Sequence, residues 1–166
     1  MKKIICLGIA LLVFLCACRK PERFSIIPEI KLISFEEYQP TDTTIGAILT
    51  FYFQDGDGDL GLNDEDKYSP YDTGSIYYYN FFCDYYEKQN GFFVEIEHPI
   101  PYHARFPRLS YLPDEPISGE IYIKMPSYFY SPYDTTKIRF YIVDRKLHHS
   151  NIEEAIIIRR GNWIEN

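Results

Sequence analysis

Residues 46–61 have the sequence GAILTFYFQDGDGDLG, which combines a strand with an acidic turn. Apolar side chains fall at every second position of the first half, on one face of an extended chain: Ala47, Leu49, Phe51 and Phe53. This period of two is typical of a β-strand with one face in a core. Aspartate and glycine then alternate, and both favour tight turns. The stretch therefore predicts a half-buried strand that runs into an acidic loop.

Six further strand-like segments follow or precede this one, separated by clusters of Pro, Gly, Asp and Ser. They cover residues 30–38, 76–86, 92–97, 120–125, 137–142 and 152–159. Tyrosine is abundant, with 16 residues, and it fits half-buried strands. Seven short strands without a convincing helical period predict an all-β fold, an immunoglobulin-like antiparallel β-sandwich of about seven strands. A small β-barrel is the alternative.

The N-terminal segment has the features of a bacterial lipoprotein leader. Lys2 and Lys3 precede an apolar run of about a dozen residues, too short for the roughly 20 that span a bilayer as a helix. Charge, apolar run and small residues together are typical of a secretory signal. The run ends in LCAC at residues 15–18, which resembles a lipobox. We therefore expect cleavage before Cys18 and attachment of fatty acyl chains such as palmitate, and two or more chains give durable anchoring.

This leader divides the chain into three predicted parts. They are a signal peptide at residues 1–17, a lipidated tether at residues 18–28 and a single β-sandwich domain at residues 29–166. Arg19 follows the lipidated cysteine, where an aspartate would favour retention in the inner membrane of some bacteria. We therefore expect a lipid-anchored protein of the cell envelope, at the outer membrane, and the sequence leaves open which face carries the domain.

Charge and cysteine content exclude several classes of protein. The net charge is −7, and loss of the two leader lysines makes it more negative by two. This argues against nucleic acid as a partner and against binding of anionic headgroups by charge. Cys6 and Cys16 leave with the leader and Cys18 is lipidated, which leaves Cys83 without a disulfide partner. We expect Cys83 to be a buried, small apolar residue of an aromatic strand.

The acidic loop is the strongest candidate for a chemical site. Asp55, Asp57 and Asp59 alternate with glycines, and carboxylates this close repel one another unless a cation or solvent separates them. Hard oxygen ligands on a flexible loop suit Ca²⁺. The spacing is not that of an EF-hand, because the position that needs glycine for the sharp turn holds Leu60. A Ca²⁺ site and a plain solvated Asp-Gly turn both stay open.

The same stretch resembles a known family. Residues 51–61, FYFQDGDGDLG, are similar to the strand and DGDGD[IL]G signature of small uncharacterised Bacteroidetes lipoproteins. ISGEI at residues 117–121 is similar to their GEI strand, and DR at 144–145 with SN at 150–151 is similar to their C-terminal DR…SN segment. The chain departs from that family at residues 146–149, KLHH, where a turn with glycine is usual. The resemblance implies an immunoglobulin-like sandwich and no established activity.

Strand order adds a geometric expectation. In such a sandwich the loops after the second, fourth and sixth strands lie at one end, where the first strand also begins. These loops are residues 55–75, 98–116 and 145–151. Asp144 would then approach Asp55, Asp57 and Asp59 and complete a Ca²⁺ site. Arg145 could instead neutralise the same carboxylates without a metal.

Catalytic signatures are missing from the sequence: it has no GxSxG, P-loop or HExxH motif. His98, His103, His148 and His149 have no metal-ligand spacing, and we expect them at the surface. The prediction is therefore a non-enzymatic lipoprotein, a binding or assembly module whose partner is an envelope protein or a glycan. The alternative is a glycan-binding accessory lipoprotein of a polysaccharide-utilisation system. Its candidate sugar-stacking residues are Tyr78, Tyr86, Tyr128, Tyr130 and Tyr133.

Overall fold

The computed structural model describes residues 24–41, 44–112, 114–125 and 131–158. Seven β-strands form two antiparallel sheets in these ranges. The strands are β1 (Glu29–Thr41), β2 (Thr44–Asp55), β3 (Phe81–Gln89), β4 (Phe92–Glu95), β5 (Ile117–Met125), β6 (Thr135–Ile142) and β7 (Glu153–Ile158). One sheet has the order β1-β2-β5 and the other the order β4-β3-β6-β7.

This strand order confirms the predicted β-sandwich. The second strand pairs with the fifth in one sheet, and the third, sixth and seventh are neighbours in the other, as in constant-type immunoglobulin domains. The fourth strand lies beside β3 instead of joining the first sheet. Within the described residues no hydrogen-bonded ladder joins the two sheets, so the molecule is a sandwich and not the alternative, a small barrel.

The predicted inner face of β2 forms the centre of the core. Leu49 and Phe51 are completely buried, as are Phe81 of β3 and Phe140 of β6. The Phe51 ring stacks on that of Phe81 with 6.0 Å between centroids and meets that of Phe140 at 5.4 Å. Each such pair contributes about 0.5–1.5 kcal/mol beyond the burial of its area. The three strands are therefore fixed against one another at one point between the sheets.

The third strand begins later than the sequence predicts. Ile76–Tyr78 is a 3₁₀ turn, capped by the Ser75 hydroxyl, which accepts a hydrogen bond from the Tyr77 N–H. β3 starts at Phe81, which is the first residue in the antiparallel register with β6, opposite Ile142, and an isolated bridge joins it to Ala104 on the other side. From there the prediction is confirmed, since Cys83 is buried and burial raises the pKa of its thiol.

The N-terminal segment enters the domain beside the acidic loop. Glu29 at the start of β1 pairs with Gln54 near the end of β2, and the Gly56 N–H donates to the Ser25 carbonyl at 2.8 Å. The predicted signal peptide and Cys18 lie outside the described residues. A search of the described ranges for a helix that is long and apolar enough to cross a membrane found none.

Side chains complete the outer edge of β1. The Asn151 amide accepts a hydrogen bond from the Ile30 N–H at 2.8 Å and donates to the Ile30 carbonyl at 2.9 Å. The Glu153 carboxylate accepts from the Leu32 N–H at 3.0 Å. These bonds occupy backbone groups that an edge strand would otherwise offer to another chain. They also join β1 of one sheet to the β7 side of the other.

The two long loops at the acidic end pack backbone against backbone. The Leu62 N–H donates to the Phe106 carbonyl at 3.2 Å, and the Leu109 N–H donates to the Leu60 carbonyl at 3.1 Å. Gly61 lies between these bonds with a φ of +91°, and a Cβ there would lie 2.2 Å from the Pro107 carbonyl oxygen. Glycine is required at this point by both the conformation and the contact.

A matched pair of glycine substitutions tests this packing. Gly91 has a nearly equal φ of +89° in the β3–β4 turn, but a Cβ there would meet nothing within 4 Å. We expect Gly91→Ala to lower the free energy of unfolding by about 1 kcal/mol through backbone strain alone. Gly61→Ala should cost at least about 2 kcal/mol more, because the loops must separate. Urea unfolding measures both, and equal losses would contradict the packing.

Candidate metal site

Four aspartates meet at the end of the sandwich where β2 and β6 both finish. This acidic cluster consists of Asp55, Asp57, Asp59 and Asp144. Asp55 is the last residue of β2, and Asp144 comes two residues after the end of β6. One carboxylate oxygen from each of Asp55, Asp59 and Asp144 lies within 4.8 Å of the other two. The structure therefore brings Asp144 to Asp55 and Asp59, as the strand order predicts.

The acidic cluster is buried and incompletely hydrogen-bonded. Asp55 is 0% exposed, Asp57 8% and Asp144 3%. The Asp55 Oδ2 atom accepts the Asp59 N–H at 2.9 Å. The Oδ1 atoms of Asp55, Asp57 and Asp59 are buried and have no hydrogen-bond partner among the described residues. A buried charged oxygen without a donor is costly, and a bound cation is one of the few groups that compensates it.

The pKa values of two members of the acidic cluster are raised, because burial and neighbouring negative charge both disfavour the ionised carboxylate. Burial, with Asp57 and Asp59 nearby, raises the pKa of Asp55 to about 7. Burial, with the Asp144 and Asp57 charges, raises the pKa of Asp59 to about 6. Both carboxylic acids therefore hold their protons more tightly than in a free chain. A divalent cation between them would reverse the shift, because it stabilises the ionised form.

Asp57 differs from the other three members of the acidic cluster, because a lysine contacts it at hydrogen-bond distance. The Lys146 Nζ atom lies 2.5 Å from the Asp57 Oδ2 atom and 3.8 Å from the Asp59 Oδ2 atom. The four aspartates of the prediction thus comprise three mutually close carboxylates, those of Asp55, Asp59 and Asp144, and the Asp57 carboxylate, whose close partner is an ammonium group that also lies near Asp59. Sequence analysis missed Lys146, although the KLHH segment that contains it is where the chain departs from the resembling family.

Arg145 does not neutralise the acidic cluster with its guanidinium group, so that part of the prediction is wrong. Its side chain donates to both carboxylate oxygens of Asp66, and this pairing lowers the pKa of Asp66 to about 2. The Tyr71 hydroxyl donates to the Arg145 carbonyl. A rigid guanidinium fork matches a single carboxylate in this bidentate way. The neighbouring lysine, which has a flexible stem, is the residue that reaches the acidic cluster.

Asp144 is oriented by a tight turn after β6. Its Oδ1 atom accepts the His148 N–H at 2.7 Å, and its Oδ2 atom lies 2.8 Å from the His148 Nδ1 atom. Leu147 adopts a φ of +66° and its N–H donates to the Asp144 carbonyl at 3.2 Å, which closes the turn. Each carboxylate oxygen keeps a second lone pair for a cation. His148 is therefore a positioning residue that the sequence analysis did not identify.

The second half of the acidic loop has a structural role. Asp66 accepts the Asn63 N–H at 2.8 Å, and the Arg105 guanidinium donates to the carbonyls of Asn63 and Asp66, both at 2.8 Å. Asn63 and Asp66 would be the later ligands of an EF-hand. Here their hydrogen bonds fix the path of the loop, in agreement with the sequence-based exclusion of an EF-hand.

The prediction that all four histidines lie at the surface is wrong for His103. His103 is half-buried, and its Nδ1 atom accepts the Cys83 N–H at 3.1 Å, so it occupies a backbone donor in the part of β3 that β4 does not reach. Burial lowers its pKa. His103 therefore supports the strand rather than a metal.

Two of the predicted sugar-stacking tyrosines have a cation over the ring. The Arg105 guanidinium lies 5.1 Å from the centre of the Tyr78 ring, and the Lys137 ammonium lies 4.8 Å from that of Tyr86. The others are Tyr128 and Tyr130, outside the described residues, and Tyr133, which is half-buried. Each of these two rings therefore has a cation next to it, and the role of these tyrosines in sugar binding stays a prediction.

Comparison of the chain with protein-family models, with curated proteins and with solved structures gave no match. The resemblance to the small lipoproteins therefore stays a prediction that rests on its three short motifs.

The raised pKa values predict how stability changes with pH in the absence of metal. Asp55 and Asp59 bind protons more tightly in the folded protein than at the ordinary value of 3.8. The free energy of unfolding should therefore fall as pH rises from about 4 to about 7, by about 2 kcal/mol or more. Asp55→Asn should flatten this dependence. Urea unfolding at several pH values in chelator measures it.

Comparison of the variant with the unsubstituted protein removes the contributions of other titrating groups, such as His103. An identical pH dependence in the two proteins would contradict the assignment of this loss of stability to Asp55.

Proposed function

We propose that this protein is a non-enzymatic lipoprotein of the cell envelope whose β-sandwich is a binding or assembly module stabilised by Ca²⁺. The observation that carries the cation site is the completely buried Asp55 carboxylate, whose Oδ1 atom has no hydrogen-bond partner among the described residues. Asp59 and Asp144 supply the neighbouring oxygens. Three carboxylates that repel one another in a buried place need positive charge to be ionised together.

The chemistry of the ligands favours Ca²⁺ over other metals. The three close ligands are all carboxylates, and hard oxygen ligands suit Ca²⁺, Mg²⁺ or Mn²⁺ rather than zinc or copper. Mg²⁺ demands a near-ideal octahedron and gives up its waters reluctantly, whereas Ca²⁺ accepts six to eight oxygens in irregular geometry. An irregular loop therefore favours the larger ion.

The role of the ion would be to connect the two sheets. Asp55 ends β2 of the first sheet, whereas Asp144 follows β6 of the second. A cation that binds both residues would cross-link the two sheets at the end of the sandwich that carries the acidic cluster. Since such a site does not exist in the unfolded chain, its binding free energy adds to folding stability. This role resembles that of a disulfide, which Cys83 cannot supply for lack of a partner cysteine.

Attachment to the membrane would depend on the acyl chains of Cys18. The domain begins beside the acidic loop, at the end where Gly56 contacts Ser25. A short tether from Cys18 would hold this end of the sandwich nearer to the bilayer. The acidic character of the chain, with a net charge of −7, makes lipid rather than surface charge the source of the attachment.

Glycan binding stays the alternative, and one feature favours it. A cleft of about 270 Å³ lies between residues 83–85 of β3 and residues 95–103, and it combines carboxylates with aromatic and imidazole rings. Its lining includes Asp84, Glu95, His98, Tyr102 and His103. Sugar rings are bound by polar side chains together with a ring face. This cleft is a different place from the acidic cluster, so the two functions do not exclude each other.

Calcium titration tests the cation site. Ca²⁺ should bind the full chain, purified in detergent, with a dissociation constant of about 10⁻⁵ to 10⁻³ M, and it should raise the unfolding temperature. Asp55→Asn and Asp144→Asn should each weaken binding at least tenfold, because each removes a ligand charge. Calorimetry and thermal unfolding measure both effects. Mg²⁺ at equal concentration should stabilise the protein less.

Asp64→Asn is the matched control, because Asp64 is an exposed acid of the same loop outside the acidic cluster. It should leave Ca²⁺ affinity within about threefold. Absence of heat and of any melting shift at millimolar Ca²⁺ would refute the cation site.

Lipidation can be tested with matched cysteine variants. In a bacterium that processes lipoproteins, the full chain should incorporate a labelled fatty acid and fractionate with membranes. Cys18→Ser should abolish both, whereas Cys16→Ser should leave both in place, because Cys16 departs with the leader. Label that follows Cys16 instead would contradict the predicted cleavage site.

A further inference from the structure

The turn after β6 carries two neighbouring basic side chains, and they differ in how firmly they are bound to aspartates. Arg145 is 20% exposed and makes a bidentate pair with Asp66. Lys146 has a side chain that is 53% exposed, and it reaches the acidic cluster from the solvent side through Asp57 and Asp59. The guanidinium is fixed by two hydrogen bonds, whereas the ammonium is a point charge on a flexible stem. Of the two, Lys146 is the one that can leave without disturbing the turn.

We propose that Lys146 is a built-in competitor of the divalent cation: it neutralises Asp57 and Asp59 when the metal is absent and is displaced when the metal binds. This inference rests on the proposed Ca²⁺ site and names the residue that sets its affinity. Displacement frees the Asp57 Oδ2 atom, which then joins Asp55, Asp59 and Asp144 around the ion. The ligand set thereby grows from three carboxylates to four.

The geometry of Asp57 supports this exchange. Its carboxylate is buried at 7% exposure of the side chain, and its Oδ1 atom has no partner among the described residues. Its Oδ2 atom contacts the lysine at 2.5 Å. One carboxylate thus has one oxygen already available and a second oxygen that a movement of Lys146 would release. The turn that carries Lys146 stays in place when the lysine side chain moves, because the Asp144–His148 and Arg145–Asp66 bonds hold it.

The competitor has a consequence for selectivity. A monovalent ion would only exchange one unit charge for another, and it would gain little over the tethered ammonium. A divalent ion brings twice the charge and can bind all four carboxylates at once. Lys146 therefore raises the concentration of metal that the site needs and favours divalent over monovalent ions.

Substitution of the lysine gives the decisive measurement. Lys146→Met keeps the apolar stem but removes the charge, and we expect it to tighten Ca²⁺ binding about tenfold. A tenfold change corresponds to about 1.4 kcal/mol, which is of the order of the ion pairs with Asp57 and Asp59 that the metal must break to displace the lysine. Lys67→Met is the matched control, because it removes the same charge from an exposed position in the acidic loop. It should change the affinity less than threefold.

A second readout follows the lysine itself in the unsubstituted full chain. Acetylation of the Lys146 amine by a limiting reagent, quantified by mass spectrometry, should become several-fold faster with saturating Ca²⁺, while that of Lys67 stays constant. This measurement does not depend on the stability of a variant.

The outcomes separate the two proposals. Tighter binding by Lys146→Met, with faster acetylation in Ca²⁺, supports the competitor. Equal affinity of the variant and the unsubstituted protein, with unchanged acetylation, overturns it and leaves the Ca²⁺ site intact. Absence of Ca²⁺ binding by the unsubstituted protein and by Lys146→Met alike refutes both the site and the competitor.

Discussion

Repulsion among buried carboxylates is the main constraint at the end of the sandwich where β2 and β6 finish. Asp55 ends β2 of one sheet and Asp144 follows β6 of the other, and the contacts of Phe51 with Phe81 and Phe140 hold those sheets together. The core therefore brings the charges close, although they repel each other. The repulsion is reduced by Lys146, which pairs with Asp57, and it contributes to the raised pKa of Asp55. Three carboxylate oxygens still have no donor among the described residues. A cluster with this excess of negative charge could hold a cation.

The loop that carries three of these aspartates is held in place by hydrogen bonds to other loops rather than by strand pairing. The acidic loop is fixed by backbone bonds to residues 106–109 and by the Arg105 guanidinium. Asn80, which is 2% exposed, adds a pair of bonds to the backbone of Phe106. These contacts hold the carboxylates near one another without a metal, so a cation that bound them would cost little conformational entropy. Gly61 makes the close approach of the two backbones feasible.

The sequence predicts the fold well where one periodic signal dominates. Alternation in β2 identifies its buried face, and strand order alone brings Asp144 to Asp55. The sequence does not predict ion pairs when several aspartates are available to the same basic side chain. Nothing local shows that Arg145 binds Asp66 while the next residue binds Asp57, because that choice depends on loop paths. The start of β3 is missed for a similar reason, since aromatic alternation continues upstream of the first paired residue.

The side chains of Asn151 and Glu153 have a consequence for the way copies or partners can associate. They occupy backbone groups of β1 on the side where it lies against β7. Three backbone groups at the start of β1 are therefore unavailable to another chain, while β4 and β5 are the outer strands on the opposite flank. A strand that added to β1 would lack these bonds over residues 30–32. Strand addition is therefore easier on the opposite flank, so the two flanks of the sandwich are not equivalent as docking edges.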